Sequence, residues 1–162
     1  AISPLFLNQL TIVIACLLFA GVIFVGRKTT FFSSIHDVER KSLGDVFLPL
    51  GEAISAAVFL PHNIAAFQFG VLVMGISDAL AGLIGERYGK HKIRLFGGTK
   101  SAEGSVVFFI CTMILMLFFV FVFSYQLILI AAVLTVTEFL TIYGLDNLIL
   151  PILGAFLIQF LL

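Results

Sequence analysis

The chain has 162 residues, of which 61% are hydrophobic and only 11% are charged, and its formal net charge is zero. Soluble proteins use apolar residues for about half of their sequence, so a soluble domain of this size could not hide so much apolar surface. The composition therefore excludes an ordinary soluble protein. No nucleic-acid partner is expected of a neutral, apolar chain.

Apolar segments of roughly membrane-spanning length follow one another along the whole sequence. A helix needs roughly 20 residues to cross about 30 Å of hydrocarbon, and the second, fifth and sixth segments are near the lower limit. We therefore predict a single all-α domain over residues 1–162, a polytopic membrane bundle of about six helices, with one or more further helices upstream. The predicted spans are residues 5–25, 47–60, 64–84, 106–123, 127–142 and 148–162.

All nine Lys and Arg residues fall into two of the connecting loops, residues 26–46 and 85–105. Loops rich in Lys and Arg face the cytoplasm in most membrane proteins. Alternation of six spans places the turn at residues 143–147 on the same side. We therefore predict that these three loops form a cytoplasmic end of the bundle.

Three carboxylates, Glu52, Asp78 and Glu138, fall inside predicted spans. A charge near the bilayer centre costs at least roughly 2.5–3.5 kcal/mol, so such residues usually face a polar cavity. The helical rise puts all three roughly 6–10 Å beneath the cytoplasmic face, with Asp146 just above them. We predict that they converge on a functional site; the alternative is neutral acids that hydrogen-bond between helices.

Glycines follow Asp78 at helical spacing, at Gly82, Gly85 and Gly89. At 100° per residue, these glycines lie within about 40° of Asp78 on the helix surface. Two interpretations remain open at this point. The bare face serves close helix packing, or it admits a ligand to the backbone beside the acid.

The basic loop that follows has the features of a phosphate site. A Gly-Gly pair precedes Thr99, Lys100 and Ser101, and Thr99 or Ser101 is a candidate N-cap for the next helix. A helix N-terminus beside a lysine attracts phosphate. The loop is not a P-loop, because Thr99 rather than Gly precedes Lys100 and no strand is predicted before it. An acid for Mg²⁺ and a lysine for phosphates together indicate phosphoryl transfer.

Four ordered blocks of sequence carry a family resemblance that runs from residue 39 to near the end. They are "ERKSLGDVFLPLG" at 39–51, the D-x-x-A-x-x-x-G-x-x-x-G pattern at 78–89, "KSAEGS" at 100–105 and "TVTEFLTIYGLDNLILP" at 135–151. In these blocks the chain resembles the CTP-dependent lipid kinases, which include dolichol kinase, phytol kinase and the CTP-dependent diacylglycerol kinase.

The resemblance implies an integral membrane kinase that moves the γ-phosphate of CTP to the hydroxyl of a lipid alcohol, with Mg²⁺ or another divalent cation as cofactor. It implies catalytic roles for Asp78, Glu138 and Asp146, with Asp78 as metal ligand. Glu52 and Asn147 are expected to contact substrate or to be structural. The expected nucleotide- and phosphate-binding residues are Gly82, Gly85, Gly89, Lys92, Arg94, Gly98, Lys100, Ser101, Glu103, Gly104, Ser105, Arg40 and Lys41.

Several alternatives remain open from the sequence. Phosphatidate cytidylyltransferases share the Asp/Gly and Lys/Glu-Gly core, but this chain ends in "LGAFLIQFLL" without their polar C-terminal signature. A small membrane transporter would also explain acids and glycines in spans, although no internal repeat is visible. The general base (Glu138 or Asp146), the lipid acceptor (polyprenol, dolichol, phytol or diacylglycerol) and the oligomeric state, including a homo-oligomer, are undetermined.

Overall fold

A computed structural model describes residues 2–28, 43–95 and 98–162. Helices make up most of this part of the chain, and a short 3₁₀ turn, Ser3–Leu5, precedes the first of them. The helices are α1 (Gln9–Lys28), α2 (Gly44–Phe59), α3 (Ile64–Leu72), α4 (Ala79–Tyr88), α5 (Ala102–Val120), α6 (Tyr125–Leu140) and α7 (Asp146–Ile158).

The described helices match the predicted spans in number and order. Three stretches are long and apolar enough to cross a membrane: Gln9–Arg27, Ile64–Tyr88 and Ala102–Val120. The other three helices, α2, α6 and α7, have 16, 16 and 13 residues. They fall short of the length that a perpendicular crossing needs. The predicted fold class, a helical membrane bundle, is confirmed by the helical content and by the three long apolar helices.

Glycines allow helix α7 to pack closely between α2 and α3. A Cβ atom on Gly51 of α2 would lie 2.5 Å from the backbone oxygen of Asn147. A Cβ atom on Gly70 of α3 would overlap the backbone oxygen of Pro151. In a membrane, where the hydrophobic effect does not drive helices together, such small residues permit the close contact that holds a bundle. Helix α1 packs on α2, and α5 packs between α4 and α6.

A π-helical segment, Val73–Asp78, joins α3 to α4 within one continuous span. The sequence pattern predicts a regular α-helix throughout this span and gives no sign of the segment. π-Helical turns are rare and occur frequently at functional sites. The segment ends at Asp78, one of the predicted site residues.

A two-stranded antiparallel hairpin precedes α5. Strand β1 (Lys92–Leu95) pairs with β2 (Gly98–Ser101), with Lys92 opposite Ser101. The expectation that no strand precedes the Thr99–Lys100–Ser101 run was wrong, so a small sheet accompanies the helices. The alternation of polar and apolar residues in "KIRL", followed by a Gly-Gly pair, is a hairpin signal of period two.

The described parts of the three loops predicted to share one side of the membrane meet at one end of the bundle. The Arg27 guanidinium lies 2.9 Å from the Asp45 carboxylate, which joins the end of α1 to the start of α2. The backbone N–H of Leu43 donates to the carbonyl of Tyr143 at 3.1 Å. The β-hairpin reaches the same end through Lys100, which contacts the start of α7.

Candidate active site

A cavity of about 490 Å³ lies at this end of the bundle. Five elements contribute its walls: the π-helical segment with α4, the hairpin, α5, α6 and α7. Most of the described polar residues singled out from the sequence are among its lining. The lining residues are Asp78, Ala81, Gly82, Gly85, Glu86, Lys92, Thr99, Lys100, Ser101, Gly104, Ser105, Glu138 and Asp146.

Lys100 joins two of the predicted catalytic carboxylates. Its Nζ lies 2.5 Å from Oε1 of Glu138 and 3.1 Å from Oδ2 of Asp146. Glu138 is only 4% exposed, so its charge depends on this partner. The ion pairs hold β2, α6 and α7 together around the cavity.

The charge state of Lys100 is fixed by competition between burial and its neighbours. Burial by itself would lower the pKa of Lys100, but the carboxylates of Glu138, Asp146 and Asp78 outweigh it and raise the pKa above its ordinary value. The amine is therefore a cation at neutral pH. Three carboxyl groups and one ammonium then share the inner end of the cavity, an arrangement that attracts further positive charge.

Asp78 lines the same cavity from the end of the π-helical segment. Its electrostatic neighbours are Asp146, Lys100 and Glu138. Within the described part of the chain, Asp78 has no hydrogen-bond partner, unlike Glu138 and Asp146. Of the three acids, Asp78 is thus the one whose oxygen atoms are free for a ligand.

The glycine face of α4 has a closely packed part and an open part. A Cβ atom on Gly85 would lie 2.6 Å from Oγ of Ser101, and one on Gly89 would lie 2.7 Å from its Cβ. These two glycines therefore let α4 pack against the start of α5. At Gly82, which lines the cavity, an added Cβ would meet no heavy atom within 4 Å. Gly82 and Gly85 both line the cavity, but of the two only Gly82 leaves open space where a side chain would stand.

Successive residues of β2 connect opposite walls of the cavity. Side chains alternate between the two faces of a strand, so Lys100 reaches α6 and α7 while Ser101 packs on α4. Ser101 is the N-cap of α5, since its Oγ accepts a hydrogen bond from the N–H of Gly104 at 3.1 Å. The N-cap prediction is confirmed at Ser101 rather than at Thr99. The positive end of the α5 dipole therefore points at the cavity.

Ser105, one turn into α5, also lines the cavity. Its Oγ is buried and has no hydrogen-bond partner among the described residues. A hydroxyl in this position costs free energy unless it finds a partner. A ligand in the cavity would supply one.

Glu52 is not brought to this site. It lies against α1, where Oε2 is 3.8 Å from Sγ of Cys16, and it is absent from the cavity lining. The prediction that Glu52 converges with Asp78 and Glu138 was wrong. Equal depth in the membrane does not fix direction, and α2 turns this residue toward α1.

Several other predicted binding residues lie elsewhere. Glu103 accepts hydrogen bonds from the backbone N–H of His91 and contacts its ring nitrogen at 2.7 Å. Asn147 donates to the carbonyl of Gly44 at 3.0 Å and ties α7 to α2. The cavity lining does not include Arg94, Gly89 or Gly98. Arg40 and Lys41 lie outside the described residues.

Three lining residues were not predicted as site residues: Ala81, Glu86 and Thr99. Glu86 stands eight residues after Asp78, about 80° around the helix, and a wider angular window on the helical wheel would have included it. The sequence suggests Thr99 only as a helix cap. Neither residue has an unusual local sequence signal.

The donor set suits a divalent cation that is held jointly with phosphate. Within the described ranges, no three His, Cys, Asp or Glu side chains are grouped so as to hold a metal ion by themselves. Mg²⁺ is usually bound by one or two carboxylates together with waters and substrate phosphates. Asp78, with its free oxygen atoms, and neighbouring Asp146 fit that mode of binding.

Comparison with known proteins relates the chain to a lipid kinase. The chain is 30% identical over 147 residues to the phytol kinase of Synechocystis sp., across 86% of this chain and 63% of that protein. It is 38% identical over 118 residues to an uncharacterized protein of Methanocaldococcus jannaschii, across 72% of this chain and 58% of that protein. The chain thus spans about three-fifths of the length of these curated relatives.

No family model and no solved structure matches the chain. The phytol kinase match covers 86% of the chain and so extends well beyond any single motif block. It therefore confirms the resemblance, predicted from four blocks of sequence, to the lipid kinases that include phytol kinase.

Proposed function

We propose that this chain forms the membrane-embedded active site of a kinase that transfers the γ-phosphate of CTP to the hydroxyl of a lipid alcohol. The similarity to a phytol kinase supports lipid phosphorylation. The choice of CTP rests on the four motif blocks. Phytol, a polyprenol such as dolichol, and diacylglycerol are the candidate acceptors.

The observation that carries the proposal is the Lys100–Glu138–Asp146 ion-pair cluster facing Asp78 in one cavity. The cavity lies at the end of an apolar helical bundle, where a water-soluble nucleotide and a membrane alcohol can meet. Charge stabilisation and positioning account for most catalysis of phosphoryl transfer. The cluster supplies both at a single place.

The triphosphate would bind along the hairpin and the start of α5. Lys100 and Lys92 supply positive charge, and the N-terminus of α5 supplies backbone N–H groups. Ser105 offers a hydroxyl that has no other described partner. The backbone at Gly82 leaves room beside these groups.

Asp78 and Asp146 are the residues proposed to hold a divalent cation together with the phosphates. Such a cation neutralises charge on the β- and γ-phosphate oxygens. In the structure, Lys100 is the counter-ion of Asp146. Binding of the metal–nucleotide complex would free the Lys100 ammonium to contact phosphate.

The reaction needs one proton acceptor and one leaving group. The lipid hydroxyl oxygen forms a bond to the γ-phosphorus, and the bond from that phosphorus to the β-phosphate oxygen breaks. Glu138 or Asp146 accepts the hydroxyl proton, and CDP leaves. The positive-inside distribution of Lys and Arg supports a cytoplasmic position for this chemistry.

The test is a labelling experiment on the intact protein in lipid nanodiscs, with phytol, a polyprenol, diacylglycerol and phosphatidate as acceptors. A lipid kinase transfers label from γ-labelled CTP to an alcohol. A cytidylyltransferase instead transfers label from α-labelled CTP to phosphatidate. Absence of both products, together with solute flux in proteoliposomes, would overturn the proposal in favour of transport.

A further inference from the structure

Glu86 is an acid in the cavity that has no role in the phosphoryl transfer proposed above. It lines the cavity from α4, its side chain is exposed, and among the described residues it has neither a hydrogen bond nor an ion pair. A carboxylate repels the phosphates of a nucleotide. Glu138 and Asp146 are paired with Lys100, whereas Glu86 has no cation beside it among the described residues to offset this repulsion, so a part of the ligand other than the triphosphate is expected next to Glu86.

The position of Glu86 relative to the ion-pair cluster indicates which part that is. Asp78 and Glu86 are eight residues apart, which corresponds to about 12 Å along the helix axis. The acids and Lys100 at the inner end define the place of the γ-phosphate. The two other phosphates and the ribose of an extended nucleotide span a comparable length, so its base would lie near Glu86.

The space between the two acids is open along α4. Gly82 lies midway between Asp78 and Glu86, lines the same cavity, and has no heavy atom within 4 Å of where its Cβ would be. A nucleotide can therefore lie along the helix from one acid to the other. Because Gly82 has no side chain, α4 does not block this path at that position.

We propose that Glu86 determines base specificity: its carboxylate accepts a hydrogen bond from the 4-amino group of cytosine and so selects CTP over UTP. This inference rests on the proposed function. Asp and Glu side chains accept hydrogen bonds from this amino group in protein–DNA recognition. Uracil carries a carbonyl oxygen at the same position, which would face the carboxylate oxygen without a proton between them.

The experiment compares nucleotide selectivity in wild type and in the Glu86→Gln variant. Equilibrium binding of CTP, UTP and dCTP to the intact purified protein is measured together with lipid phosphorylation by γ-labelled CTP and UTP. Gln can donate to the uracil carbonyl, so Glu86→Gln is expected to lower the CTP/UTP affinity ratio about ten- to hundredfold. Glu86→Asp keeps the carboxylate and is expected to keep the preference for CTP.

Asp45→Asn is the matched control, because it removes a carboxylate from the same end of the bundle but outside the cavity. This variant is expected to keep the wild-type CTP/UTP ratio. An unchanged ratio in Glu86→Gln, or an equal loss of CTP and UTP affinity, overturns the inference while lipid phosphorylation by wild type still stands. Loss of discrimination between CTP and dCTP alone would assign Glu86 to the ribose and also overturn it. If wild type phosphorylates no lipid with any nucleotide, the proposed function itself fails.

Discussion

Lys100 and Glu138 are 38 residues apart in sequence, yet the ammonium of one lies 2.5 Å from the carboxylate of the other. The contact spans from the hairpin to the buried side of α6. Because Glu138 is only 4% exposed, water is a poor substitute for this partner. Lys100 thus has a structural role as well as the role proposed for it in phosphate binding.

Replacing Lys100 with Met should destabilise the fold. Removal of one partner from a buried ion pair typically costs about 3–5 kcal/mol, and the 22% exposure of the Lys100 side chain places the expected cost near the lower end. The measurement is the thermal midpoint of the protein in detergent. The double variant Lys100→Met/Glu138→Gln should recover part of the loss, because it no longer buries an unpaired charge. An unchanged midpoint in Lys100→Met would contradict the ion pair.

On the alkaline side of neutrality, the stabilisation by Lys100 should persist until the pH exceeds the ordinary lysine pKa of 10.5. Its pKa in the folded protein is raised above the ordinary 10.5, so its contribution is fully present below 10.5 and is lost as the pH rises through the folded value. The measurement is the difference in thermal midpoint between wild type and Lys100→Met as the pH is raised. This difference should be constant around neutral pH and should shrink above 10.5. A difference that vanishes well below that value would show that Lys100 is not paired as described.

Two glycines of α4 should respond in opposite ways to the same substitution. Gly85→Ala places a methyl group 2.6 Å from Oγ of Ser101, and such overpacking costs about 1–3 kcal/mol. Gly82→Ala meets no atom within 4 Å and should stabilise the helix by up to about 1 kcal/mol. Thermal midpoints of the two variants test the packing assignment.

The same pair separates packing from ligand access. Gly82→Ala narrows the cavity and is expected to weaken CTP binding although the fold is intact. Gly75→Ala is the control, since Gly75 is also open but does not line the cavity. Equal CTP affinities in Gly82→Ala and Gly75→Ala would mean that the nucleotide does not run along Gly82.

Asp78→Asn should strongly reduce activity without unfolding the protein. The Asp78 side chain makes no hydrogen bond within the described residues, so its replacement by an amide of equal size is expected to leave the packing unaltered. Loss of a group that stabilises transition-state charge is expected to cost about 10²–10³-fold in kcat. The measurement is lipid phosphorylation as a function of Mg²⁺ concentration. Glu52→Gln changes a membrane acid that contacts Cys16 instead, and its Mg²⁺ dependence should match wild type.

The sequence predicts the membrane helices and much of the cavity lining because both follow from local rules. Apolar length marks the spans, and helical periodicity places Asp78 beside Gly82 and Gly85. The helix N-cap at Ser101 follows from its residue type and position. These features need no knowledge of how distant elements pack.

The sequence predicts how deep an acid lies in the membrane, but it does not predict toward which neighbouring helix its side chain points. Glu52 and Glu138 lie at similar predicted depths, but tertiary packing turns Glu52 to α1 and Glu138 to the cavity. The pairing of Lys100 with two acids likewise depends on the meeting of β2, α6 and α7. Lys100, which the sequence suggests as a phosphate ligand, is therefore ion-paired with two carboxylates in the structure. Residue type alone does not predict this pairing.

The π-helical segment Val73–Asp78 changes the rotation of α4 about the helix axis relative to α3 within the third span. Upstream, Gly70 is aimed at α7, and downstream, Gly85 is aimed at Ser101. Converting the segment to α geometry without changing its length would rotate one half of the span against the other by about 100°, because a π turn holds one more residue than an α turn. The scaffold contact of Gly70 and the position of Asp78 in the cavity could then no longer be satisfied together. The segment thus allows α3 to pack against α7 while Asp78 and α4 face the cavity.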